Sequence, residues 1–104
     1  ELNLKSFIIK WIDYVLYKLM NIKSEIFKKK LVYRAAYRGT KEMDILLSSF
    51  VNKYIETFND SQLIALEKFL SYEDEIILNF YHHNINENQI DKNAISKIFK
   101  LFKL

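Results

Sequence analysis

Both arginines, Arg34 and Arg38, and the single glycine, Gly39, fall within six consecutive positions of a 104-residue chain whose other fourteen basic residues are all lysine. Arginine offers a planar fork of donors suited to bidentate contact with carboxylate or phosphate, which the point charge of lysine does not. Glycine offers a backbone with φ > 0, or close approach by a partner. Glu42 and Asp44 follow at once, in the stretch Tyr33-Arg34-Ala35-Ala36-Tyr37-Arg38-Gly39-Thr40-Lys41-Glu42-Met43-Asp44. Arg34, Arg38, Gly39, Glu42 and Asp44 are therefore the candidate binding residues.

Two readings of this cluster stand side by side. The i, i+4 spacing puts both guanidinia on one helix face near its C-terminus, with Gly39 as a left-handed cap. Cations there complement the helix dipole, and surface ion pairs with Glu42 or Asp44 would add about 0.3–1 kcal/mol. Alternatively the fork and the exposed turn bind carboxylate, phosphate or backbone groups of a partner. From spacing alone the plainer reading carries more weight.

The elements that must position these residues are helices. Apolar residues at Leu4, Phe7, Ile8, Trp11, Ile12, Val15, Leu16, Leu19 and Met20 step by three and four along one wide face. Asn21 to Ser24 reads as a break with Ser24 as the next N-cap, so residues 1–23 form an extra amphipathic helix before a domain at 24–104. A second helix runs from about Glu25 to Arg38 and ends at Gly39. A third starts near Thr40, with Glu42 and Asp44 in its first turn, and continues to Phe58. Asn59 and Gln62 have capping-box spacing before a helix to about Leu70. A shorter helix follows from about Glu73 to His82. Asn86 and Gln89 repeat the cap spacing before a last helix carrying Ile90, Ile95, Ile98, Phe99 and Phe102, with Lys97, Lys100 and Lys103 at its C-terminal end. The fold class is all-α: a compact five-helix bundle with an additional N-terminal helix, packed on the bundle or on a second copy. Its lysines leave an interfacial membrane helix as the alternative.

Composition narrows the chemistry. Half of the residues are hydrophobic, and there is no proline and no cysteine. A disulfide framework, a thiolate nucleophile and a cysteine zinc site are excluded. One glycine excludes both the GxGxxG fingerprint and the Walker A loop. His82 and His83 are adjacent, so on a helix they point about 100° apart and serve one metal poorly. They read as exposed, helix-terminal residues. A net charge of +3 with thirteen acids interleaved is weak for nucleic acid, although Lys28-Lys29-Lys30 beside Tyr33 and Tyr37 keeps that alternative open. No apolar run reaches the roughly eighteen residues of a membrane span. The chain reads as a non-enzyme with no metal and no cofactor of its own.

The run from Arg38 through Asp44 into Ile45-Leu46-Leu47 resembles the RGxxE signature of the SdhE-type succinate dehydrogenase assembly factors, the flavinators, and most of all their alphaproteobacterial form. Tyr33 and Arg34 upstream, Phe50 and Tyr54 downstream, and an acidic segment leading to Asn79-Phe80 extend the similarity over residues 28–82. The pattern departs at Ser48, where the family often has glycine, and around Asp74-Glu75 and Phe80, where it often has Asp-Pro and Trp. Residues 1–23 have no counterpart in it. The resemblance implies a five-helix fold and a role in covalent attachment of FAD, joining a histidine of the succinate dehydrogenase flavoprotein subunit to the flavin 8α-methyl group, with fumarate reductase as a second client. It places Arg38, Gly39 and Glu42 at the client-facing surface, and the FAD belongs to the client. The expected partner is thus that subunit, with no nucleic acid and a monomer or weak homodimer through the N-terminal helix. The alternative is a small basic adaptor or nucleic-acid-binding domain. The want of an Arg-rich leader favours a bacterial cytoplasm over a mitochondrial matrix.

Overall fold

The computed structural model describes residues 3–104. Its five α-helices are α1 (Leu4–Ala36), α2 (Lys41–Tyr54), α3 (Asp60–Leu70), α4 (Asp74–His83) and α5 (Ala94–Leu101), with single 3₁₀ turns at Ile55–Thr57 and Ile90–Lys92. The all-α, five-helix expectation holds, but the additional helix is not a separate element. Residues 21–24, expected to break, are helical, so the N-terminal segment and the first bundle helix form one element of 33 residues. The reason is energetic. Asn21 and Ser24 cost a few tenths of a kcal/mol each inside a helix, whereas stopping requires glycine, proline or a captured cap.

At 1.5 Å per residue α1 is about 50 Å long, and the molecule measures 68 × 25 × 20 Å. Its C-terminal part packs on the bundle: Leu31 and Ala35 are fully buried and Phe27 and Val32 are partly so, against α2 and α3. One to two turns further up, Met20, Lys23 and Ser24 line an open groove with Asp60, Leu63 and Ile64. The rest projects into solvent. Its large apolar side chains, from Leu4 to Ile26, are exposed, so the expected packing on the bundle is overturned.

The core is an aromatic knot. Phe50 meets Phe99 edge-on at 5.1 Å and Phe102 at 5.4 Å, and Phe69 lies 5.1 Å from Phe99. Leu47, Leu63, Leu66, Ile77, Ile90 and Ile95 close around them. Helix ends are tied by side chains. The capping box forms as read, with Asn59 Oδ1 accepting from the Gln62 amide at 2.8 Å and Gln62 Oε1 from the Asn59 amide at 2.9 Å. The second cap, expected at Asn86, falls at Asn93: its Oδ1 accepts from the Ile95 amide at 2.8 Å while its Nδ2 donates to the Ala65 carbonyl at 2.9 Å. Lys100 serves a different helix from its own, donating to the carbonyls of Phe80 and Tyr81 at the end of α4.

Candidate functional site: the α1–α2 turn

Because α1 stops at Ala36, Arg38 lies beyond the helix and the i, i+4 register with Arg34 is lost. The two guanidinia do not share a face. Arg38 turns inward, its side chain only 11% exposed. Its Nε donates to Asp74 Oδ1 at 2.8 Å, Nη1 to the Leu70 carbonyl at 2.7 Å and Nη2 to the Tyr72 carbonyl at 2.9 Å. Leu70 closes α3 and Asp74 opens α4. The cation thus meets orphan carbonyls at a helix C-terminus and a carboxylate at a helix N-terminus, each the favoured partner there. The fork expected to reach a client is occupied within the chain.

Asp74 also fixes the glycine. Its Oδ2 accepts from the Gly39 amide at 3.0 Å. Gly39 does not have a positive φ, which overturns the left-handed cap and leaves close approach as its role. A Cβ at this position would sit 3.2 Å from Asp74 Oδ2, and Arg38 prevents that carboxylate from moving away. Gly39→Ala is therefore expected to cost about 1 kcal/mol. In an Asp74→Ala background the same change should cost less than about 0.5 kcal/mol, a coupling readable by urea denaturation of the four proteins. Asp44, proposed as a client contact, is half-buried in α2 and accepts from the Arg38 amide at 2.5 Å. Together Asp44 and Asp74 clamp successive backbone amides of the turn.

Around this clamp lies the surface a partner can reach. Thr40 caps α2 by accepting from the Met43 amide at 3.2 Å, which orients the first turn and its Glu42. The Glu42 side chain is 66% exposed and its Oε1 stands 3.6 Å from His82 Nε2. The ion pairs expected between the arginines and Glu42 or Asp44 are replaced by others: Arg34 Nη1 is 4.0 Å from Glu67 Oε2, at the outer limit of a pair, and Lys30 Nζ is 3.8 Å from the same oxygen. Tyr33 and Tyr37 lie in contact, ring centroids 4.5 Å apart and planes tilted by 34°, both exposed. Of the five candidates, the structure brings Arg38, Gly39 and Asp44 together as an internal clamp and leaves Arg34 and Glu42 on the surface. Among the described residues no group of His, Asp and Glu could hold a metal ion.

The family model described as flavinator of succinate dehydrogenase matches residues 29–103, the whole bundle and the whole of this turn. The chain belongs to that family. Among its relatives, a mitochondrial succinate dehydrogenase assembly factor 2 from Scheffersomyces stipitis is 32% identical over 80 residues, covering 76% of this chain and 54% of the relative. Succinate dehydrogenase assembly factor 2-A, mitochondrial, from Drosophila willistoni is 40% identical over 47 residues, 45% of this chain and 30% of the relative. The assembly factor 2, mitochondrial, of Saccharomyces cerevisiae is 32% identical over 74 residues, 70% and 46% of the two chains. The chain thus spans about half the length, or less, of the curated relatives it matches. No solved structure matches it.

Within this chain the family match begins at residue 29 and excludes the projecting part of α1. Three interactions at the site escaped the sequence reading. Asp74, the hub of the clamp, lies 36 positions from Arg38, and no local spacing connects them. His82 was read only as exposed and helix-terminal, which it is, and its approach to Glu42 needed the fold. The contact of Tyr33 with Tyr37 was signalled by their i, i+4 spacing.

Proposed function

We propose that this chain is a non-catalytic assembly factor for succinate dehydrogenase that holds the flavoprotein subunit while FAD becomes covalently attached to it. The observation that carries the reading is the rigidified turn at residues 37–42, inside the region matched to the flavinators. Two carboxylates hold its backbone, one guanidinium locks it to α3 and α4, and Glu42 and Tyr37 project from it. Covalent attachment needs histidine and flavin held in near-attack geometry, where small misplacements cost orders of magnitude in rate. A preorganised turn contributes by selecting the client conformation in which the two meet, with little ordering entropy lost on binding. Glu42, beside a histidine, accepts client hydrogen bonds; Tyr37 supplies flat apolar area; Arg34 adds charge.

The names of the relatives place those proteins in mitochondria, and we extend that compartment to this chain in preference to a bacterial cytoplasm. The nucleic-acid alternative loses its main support. Lys28 donates to Glu56 at 3.2 Å and to Glu25 at 3.5 Å; the hydrogen bond to Glu56, with these neighbouring charges, raises its pKa above the ordinary lysine value. Lys30 faces Glu67. Of the basic run, only Lys29 is without a carboxylate within pairing distance among the described residues.

The test is flavin fluorescence of the denatured flavoprotein subunit, produced with and without this chain in cells lacking their own assembly factor. Covalent fluorescence should rise when the chain is present. Equal signal in both would overturn the reading.

A further inference from the structure

We infer that the projecting part of α1 is a dimerisation element that pairs with the same segment of a second copy as a short coiled coil. Six apolar residues, Ile8, Ile12, Val15, Leu19, Ile22 and Ile26, follow one another in alternating steps of four and three. That is a 3.5-residue period, the seam of a left-handed two-helix pairing. All six lie on α1, and none is buried; exposures reach 62% at Ile26. The next seam positions on either side are Lys5 and Lys29, so the stripe has defined ends about 27 Å apart.

Three observations select a second copy as the occupant. The first is direction. At 100° per residue the seam points about 160° away from Leu31 and Ala35, the residues that face the bundle. The chain cannot cover the stripe with its own bundle while α1 is unbroken, and two copies can join without their bundles colliding. The second is area. With Trp11 and Leu16 flanking the seam and about half exposed, each copy offers roughly 600 Å² that pairing can cover, or about 1,200 Å² in all, the lower end of interfaces that persist in solution. The third is the charge pattern. Exposed apolar residues such as Phe7, Tyr14, Tyr17 and Met20 also lie off the seam, but Lys10, Asp13, Lys18 and Lys23 interrupt their rows. The seam is the one four-three repeat that runs five steps without a charge, a pattern that suits one partner helix better than a bilayer. The seam ends about 15 Å along α1 before the turn that starts after Ala36, so pairing leaves that turn free.

Sedimentation equilibrium of the full chain tests this, beside Ile12→Lys/Leu19→Lys in the seam and Tyr17→Lys on the opposite face. The expected result is a concentration-dependent dimer for the parent and for Tyr17→Lys. The seam variant should dissociate at least about a hundredfold more readily, since lysine at seam positions is strongly disfavoured. Because the seam side chains are exposed in the single chain, bundle unfolding measured in dilute solution should be unchanged. Dimers of equal strength in all three proteins would overturn the inference. So would a parent that stays monomeric yet floats with anionic phosphatidylserine vesicles through the same residues, which would assign the stripe to a membrane surface.

Discussion

Arg38→Ala is expected to lower the stability of the fold by about 3 kcal/mol, the cost of breaking a largely buried pair and stranding its partners. The variant would leave Asp74, only 25% exposed, without its cation, and the carbonyls of Leu70 and Tyr72 without their donors. For a domain of this size that corresponds to a fall in Tm of about 15 °C. Arg38→Lys would keep the charge but cannot reach all three acceptors, and should cost about 2 kcal/mol. An arginine at a client-facing surface, where the resemblance placed Arg38, would tolerate lysine with little loss of stability. The inward guanidinium reverses that expectation. Chemical denaturation of both variants decides the matter: changes within about 0.5 kcal/mol of the parent, typical of surface sites, would show that the guanidinium holds nothing.

Glu42→Gln should do the opposite, leaving stability unchanged while reducing covalent flavin on the client. The carboxylate is mostly exposed and, among the described residues, His82 is the one basic side chain within pairing distance, so its loss costs the fold little. A charge-assisted hydrogen bond to a client is worth about 1.5–3 kcal/mol, so the yield of covalent flavin at limiting protein should drop about tenfold or more, while non-covalent FAD loading continues. His82→Ala is the companion. If His82 merely sits beside Glu42, flavin yield will stay near the parent's. Full covalent flavin with Glu42→Gln would remove Glu42 from the client surface. The same assay applied to Arg38 variants must be expressed per folded molecule, because their instability alone lowers yield.

What was legible from sequence follows the range over which each interaction acts. The Asn59–Gln62 capping box, the start of α2 at Thr40 and the apolar spacing of Ile95 and Phe99 on the last helix depend on residues within a turn or two, and all are as read. The break at Asn21–Ser24 was misread because those residues are weak stops, and nothing local measures whether a helix end gains a cap. The cap at Asn93 was placed early, at Asn86, since both asparagines have suitable spacing. Only the fold shows that Asn88 and Gln89 take left-handed conformations, which postpone the helix. Arg38 was read as facing outward, and the structure turns it inward. Its three acceptors lie 32 to 36 positions away, and whether such a side chain faces in or out is decided by tertiary partners that spacing does not contain.

The Asp74 carboxylate, gripped by Arg38 on one oxygen and by the Gly39 amide on the other, separates two kinds of constraint within a single short signature. If Glu42 serves the client as proposed, a descendant of this chain that had lost its client would still lose stability on changing the arginine, the glycine or the aspartate, and would be free to let Glu42 drift. Divergence within the turn would then be uneven, with the architectural letters persisting after the working one had gone. Under the function proposed above, the arginine and glycine of this turn answer to the fold, and the glutamate answers to the client.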